Sequence, residues 1–125
     1  MFKTEGAGWR LARDLSKGVF CVLIAGDNWA VELTHDEWEN IYSLVQKLKE
    51  QFLELKKQLI EEECFSIDLE QNSIWGSISG NKEAWNLKVV LTGDGHSIRG
   101  VEMFWPVKSA QEVTKAMRSM WDSYE

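Results

Sequence analysis

The sequence predicts an α+β fold built from a doubled antiparallel sheet-plus-helix unit, in the order βββα-ββββα. Three observations carry that prediction. Two helix starts are marked by capping-box spacing, Thr34-His35-Asp36-Glu37 and Ser109-Ala110-Gln111-Glu112. The stretches before each alternate apolar and polar residues with a period of two. Between those stretches lie short Gly-, Asn- and Asp-bearing turns of hairpin length. The 125 residues form a single domain of two pseudo-repeats, about 6–63 and 64–125, alike in pattern and not in residue identity.

In the first unit, Trp9 and Leu11 alternate with Arg10 in a short strand, and Asp14 to Gly18 supply a turn. Val19–Ala25 is an apolar, β-branched run that reads as a central strand buried on both faces. Gly26-Asp27-Asn28 turns the chain into a third strand, in which Trp29, Val31 and Leu33 share a face. The helix opening at Thr34 carries Asp36, Glu37 and Glu39 near its positive end. Along it, Trp38, Ile41, Val45, Leu48, Phe52, Leu55 and Leu59 recur at alternating spacings of three and four, an a/d stripe held for three heptads. Lys56 and Lys57 suit the negative end and Glu61-Glu62-Glu63 do not, so the helix is expected to stop between 60 and 63. A helix of some 27 residues would be roughly 40 Å long, about as long as the domain is wide.

In the second unit, Phe65, Ile67 and Leu69 alternate with Ser66, Asp68 and Glu70. Gln71-Asn72 leads into Ser73–Ser79, and Gly80-Asn81-Lys82 into the strand of Trp85, Leu87, Val89 and Leu91. Gly93-Asp94-Gly95 turns the chain into Ser97–Trp105, which Pro106 ends. Val113, Met117, Met120 and Tyr124 share one face of the closing helix.

Composition narrows the functional classes. With 44% hydrophobic and 27% charged residues, one proline and two cysteines, the chain is neither disordered nor a disulfide-dependent mini-protein. A formal charge of −6 disfavours a partner recognised through phosphates. Cys21 falls in an apolar run and Cys64 at a charged helix end. They have no C-x-x-C spacing, so reduced thiols in a cytoplasm are expected. The N-terminal residues lack the apolar core of a signal peptide. The longest apolar run, Val19–Ala25, is far short of the roughly 20 residues that span a bilayer, so no membrane partner is expected.

No pattern of enzymatic chemistry emerges, and neither cofactor nor metal is implied. His35 and His96 sit in turns, and the adjacent His35-Asp36-Glu37 cannot converge on one ion from a helix. Glu61-Glu62-Glu63 reads as a solvated helix end. Nucleophile-elbow, Walker and dinucleotide-binding glycine motifs are absent, and Gly6-Ala7-Gly8 precedes a strand, the wrong context for phosphate.

Two groups of residues remain as candidate sites. Trp29, Trp38 and Trp85 fall in phase with apolar neighbours and read as core. Trp75 falls out of phase with Ile74 and Ile78, on a strand face shared with Ser77 and continued by Asn86 and Lys88. That face is open to three readings: packing under a helix, cover by another protein, or single-stranded nucleic acid stacked on an aromatic platform. For nucleic acid the track would comprise Arg10, Arg13, Trp75, Lys88 and Arg99. The second candidate is the helix seam Ile41, Val45, Leu48, Phe52, Leu55 and Leu59, which lies either across the chain's own sheets or against another subunit.

Gly8-Trp9-Arg10, the stretch Gly26-Asp27-Asn28-Trp29-Ala30-Val31-Glu32-Leu33-Thr34, and Glu62-Glu63 before the second sheet resemble a small family of uncharacterised cyanobacterial and plastid proteins. The resemblance runs from about Gly6 to Trp121. It implies a cyanobacterial cytosol or plastid stroma, and a fold similar to the single-stranded-DNA-binding transcriptional regulators. Those include the plant Whirly proteins and the eukaryotic positive-cofactor coactivators. The unit of that fold is a four-stranded antiparallel sheet followed by a helix, carried twice in Whirly chains. Of their Lys-Gly-Lys motif, Lys17-Gly18-Val19 keeps only the first two residues. The expectation is therefore a non-catalytic protein-interaction module, with a single-stranded nucleic-acid-binding or transcription-associated module as the alternative.

Overall fold

The computed structural model describes residues 1–92 and 100–123. Its elements run β1 (Phe2–Gly6), β2 (Trp9–Arg13), a 3-10 turn (Leu15–Lys17), β3 (Val22–Ala25), β4 (Ala30–Leu33) and α1 (His35–Lys56). They continue with β5 (Phe65–Gln71), β6 (Ile74–Gly80), β7 (Trp85–Leu91), β8 (Val101–Trp105) and α2 (Val107–Asp122). Two four-stranded antiparallel meanders result, ordered β1-β2-β3-β4 and β5-β6-β7-β8, each followed by a helix.

The first unit thus has four strands where three were expected. Phe2–Gly6 pairs with β2 along its whole length, from Phe2 opposite Arg13 to Gly6 opposite Trp9. Its alternation rests on Phe2 and Thr4 alone, too few apolar residues to stand out. A second correction concerns Val19–Ala25. The strand begins only at Val22, and Val19 and Phe20 stand in solvent at 70% and 42% exposure. Gly18, at φ 87°, leaves the preceding 3-10 turn in a conformation that interrupts the run.

The capping box at Thr34 forms as expected: Glu37 N donates to Thr34 Oγ1 at 3.1 Å, and Thr34 N to Glu37 Oε1 at 2.9 Å. The helix is shorter than expected, 22 residues ending at Lys56. The chain turns away before the acidic run, which would have faced the negative end of the dipole, and Glu62 adopts φ 67°. The second helix starts earlier than its expected box. Pro106 is the N-cap and Ser109 lies buried in the first turn, its hydroxyl donating back to Pro106 O at 3.4 Å.

Of the two helices, α1 packs away from the sheet that precedes it, and α2 bridges both sheets. α1 lies on β5 and β6 of the second sheet, whereas α2 touches β7 and β8 of the second sheet and β1 and β2 of the first. Close approach of α1 depends on Gly76, where a Cβ would fall 2.9 Å from Leu44 Cδ2 and 3.0 Å from Leu48 Cδ1. The helices are joined by aromatic rings, Tyr42 stacking on Trp121 at 4.6 Å and Trp38 beside both. Burial pushes the Tyr42 hydroxyl pKa upward.

The two sheets meet at tryptophans. Trp105 is fully buried, and its indole donates to Ala25 O in β3 at 3.2 Å. Trp29 sits edge-on to it at 5.1 Å and donates to Phe104 O at 3.3 Å. Trp29 reaches that position by folding back over Gly26, whose ideal Cβ would lie 2.2 Å from Trp29 Nε1; Gly6 and Trp9 repeat the arrangement in the β1–β2 hairpin. Gly26→Ala must therefore displace the indole from the sheet junction, and is expected to cost about 1–3 kcal/mol in denaturant unfolding, as overpacking does elsewhere. An unchanged midpoint would show that Trp29 contributes nothing to holding the sheets together.

Candidate functional site: the open face of the second sheet

Because Ile74, Gly76 and Ile78 point at α1, the alternate residues of β6 point away from both helices. The register builds the outer face in rows. Glu70, Trp75, Val90 and Glu102 form one row across the four strands, and Asp68, Ser77, Lys88 and Phe104 the next. Trp75 thus stands on the open face of the sheet and not beneath a helix. Its indole donates to Asp68 Oδ2 at 3.1 Å, and Lys88 Nζ sits 6.0 Å from its ring centroid. Asp68 and Lys88 are both register neighbours of Ser77, so the ring lies over Ser77, which is only 8% exposed although it is on the outer side.

The electrostatics of this face are acidic. Lys88 is paired with Glu102 at 2.8 Å, leaving Asp68 and Glu70 as further carboxylates around Trp75, Val90 and Phe104. Phe104 is 43% exposed. Sequence reading missed Phe104, Glu102 and Val90. The signal was present in the phase of Met103 and Trp105, which face inward and send their neighbours out.

Arg10 and Arg13, two of the other expected track residues, do not join this face. Arg10 is exposed on the outer side of the first sheet, opposite Glu5 in β1. It borders a shallow groove of about 250 Å³ with Lys3, Ala12, Lys17 and Phe20. Arg13 is internal. It shares the inward side of β2 with Trp9 and Leu11, is 6% exposed, and closes the C-terminal end of α2. Its Nη1 donates to Met120 O at 2.8 Å, and its Nη2 to Ser123 Oγ at 2.9 Å and to Ser123 O. A guanidinium there satisfies terminal carbonyls and meets the negative pole of the helix. Arg99 and His96 lie outside the described residues, as do the 93–95 turn and Tyr124.

The helix seam is likewise internal. Ile41, Val45, Leu48 and Phe52 are buried in the core shared with the second sheet, Phe52 packing on Phe65 and Trp85. Leu55 is half-buried in the last turn, and Leu59 is half-buried beyond the helix end. The stripe is thus covered by the chain's own strands and leaves no continuous seam for another subunit. Cys21 is buried and Cys64 exposed, both free. Among the described residues, no group of three or more His, Cys, Asp or Glu is placed to share a metal ion, and no helix is long and apolar enough to cross a membrane.

Together these features define an α+β protein of two ββββα units with an open, aromatic and acidic sheet face. Residues 4–120 match the family described as "Domain of unknown function (DUF1818)", and the chain belongs to that family. It is similar to a crystal structure from Prochlorococcus sp. NATL2A, described as a protein with unknown function from the DUF155 family. The two chains are 38% identical, the match covers 98% of this chain and 100% of that one, and the TM-score is 0.90. No curated protein matches the sequence significantly.

The two arginines of β2 should respond oppositely to substitution. Arg13→Met deprives the end of α2 of charge-assisted hydrogen bonds and is expected to cost about 2–3 kcal/mol, whereas exposed Arg10→Met stays within about 0.5 kcal/mol of the parent. Chemical denaturation of the two variants checks this, and equal effects would contradict the internal placement of Arg13.

Proposed function

We propose that the protein acts without catalysis as a protein-interaction module, docking through the outer face of its second sheet. The partner on this reading is a protein surface that presents basic and aliphatic side chains together. The carrying observation is the composition of that face: among the described residues, Trp75, Val90 and the exposed Phe104 are flanked by Asp68, Glu70 and Glu102, against the ammonium of Lys88. Aromatic residues with one polar edge suit a protein interface core, and the surrounding carboxylates favour positive partners and repel phosphates. The free thiols and the cyanobacterial origin of the similar structure support a cyanobacterial cytosol or plastid stroma as its compartment.

The doubled ββββα order supports a likeness in architecture to the Whirly-type regulators, and a shared fold does not carry a shared site. Stacking single strands requires unpaired cations beside an exposed ring. Here Lys88 is engaged by Glu102, the Trp75 edge is held by Asp68, and Arg13 is spent inside the molecule.

Parallel titrations distinguish the two partners. An alternating Arg-Leu peptide and single-stranded DNA and RNA oligonucleotides would each be added at low salt. Tryptophan fluorescence and the Trp75 indole and Phe104 resonances report binding. The peptide is expected to shift both resonances, with affinity weakened about tenfold by joint Glu70→Gln and Glu102→Gln substitution, while the oligonucleotides give a flat response. Salt-sensitive oligonucleotide binding that Trp75→Ala removes would replace this reading with the nucleic-acid one. A peptide that leaves the two resonances unmoved would overturn it outright.

A further inference from the structure

On the helix side of the molecule, away from Trp75, α1 and α2 enclose a groove of about 380 Å³. Three of its lining side chains are cations: Lys49 from α1, and Lys115 and Arg118 from α2. Lys115 and Arg118 are three residues apart and so share one face of α2; Lys49 and Leu53 are four apart and share one face of α1. The two faces line one groove, whose lining also includes the apolar Leu53 and the buried Thr114.

This gathering is unusual in a chain with 20 acidic and 14 basic residues. Acidic partners are abundant, yet the ammonium groups of Lys49 and Lys115 make no ion pair with any described residue. Arg118 meets Asp122 only through Nε, at 3.5 Å and with both side chains in solvent. Glu50 also borders the groove, without an ion pair to any of the three. Lys49 is half-buried, and its pKa is lowered first by that burial and then by the charges of Lys115 and Arg118. The arrangement costs free energy in the empty protein, and a bound anion would recover it. Three convergent donors around a concave, partly apolar floor match a small ligand better than an extended polyanion.

We infer that the groove between α1 and α2 is a binding site for a small phosphate-bearing anion, held by Lys49, Lys115 and Arg118. The guanidinium provides forked donors to the phosphate oxygens and the two ammonium groups supply point charges. The ligand's remaining atoms rest on Leu53. The site is independent of the sheet face proposed for a protein partner, because its residues belong to the helices alone.

Calorimetric titration of the full chain with inorganic pyrophosphate at low ionic strength tests this, with citrate as a second multivalent anion. Pyrophosphate is expected to bind saturably at one site and more tightly than citrate, with amide shifts concentrated at 49–53 and 114–118. Lys115→Gln and Arg118→Gln should each weaken binding by about tenfold, the loss of one charge-assisted contact. Lys49→Met, which removes a charge that destabilises the empty protein, should remain folded and also lose binding. Lys56→Gln and Lys57→Gln change net charge equally outside the groove and should leave the affinity unaltered. Non-saturable binding, or equal weakening by the Lys56 and Lys57 variants, would overturn the site, and citrate binding as tightly as pyrophosphate would overturn its phosphate preference.

Discussion

Everything else in this fold depends on α2 belonging to two sheets at once. Val113, Met117 and Met120 are fully buried, and the helix that carries them touches β1 and β2 on one side and β7 and β8 on the other. Neither four-stranded meander has a helix of its own unit laid across it alone, so neither buries its inner face without the other half of the chain. The Trp105 indole bonded to Ala25 O, and Trp29 edge-on beside it, close the same junction from the strands. Burial of aromatic side chains at such a joint supplies several kcal/mol, while the hydrogen bonds fix the angle at which the sheets meet.

Two consequences follow from using the helices this way. The inner faces of both sheets are covered by a single hydrophobic cluster, and among the described residues no helix is laid over the outer face of the second sheet. Polar side chains therefore gather on the exposed strand faces and between the helices. Arg13 shows the other side of the same economy. A cation on the inward face of β2 is tolerated because the end of α2 arrives there with carbonyls to receive it. The resulting contact joins residues more than a hundred positions apart, and so ties the beginning of the chain to its end.

Much of this architecture was legible in the sequence, for physical reasons that can be named. The start of α1 was readable because Thr34 and Glu37 satisfy one another's backbone groups, and β5 and β7 because alternation persists through seven residues in each. The inward side of Arg13 is legible as well, since a period of two places it with Trp9 and Leu11. β1 was not legible, its apolar side consisting of Phe2 and Thr4 alone. The a/d stripe of α1 was ambiguous in principle, because over 22 residues a heptad seam and one face of a sheet-packed helix have nearly the same spacing. The groove cations sit in different helices some 66 positions apart, Lys49 against Lys115, and only the tertiary fold brings them together.

The central claim is that the two ββββα units form one cooperative structure held by α2, and native-state hydrogen exchange tests it most directly. Amides of Leu11 and Ile24 in the first sheet, Leu87 and Val89 in the second, and Val113 and Met117 in α2 should open with a single free energy equal to that of global unfolding. First-sheet amides exchanging through a clearly cheaper opening, while the second sheet and α2 stay protected, would show two separable units and contradict the account.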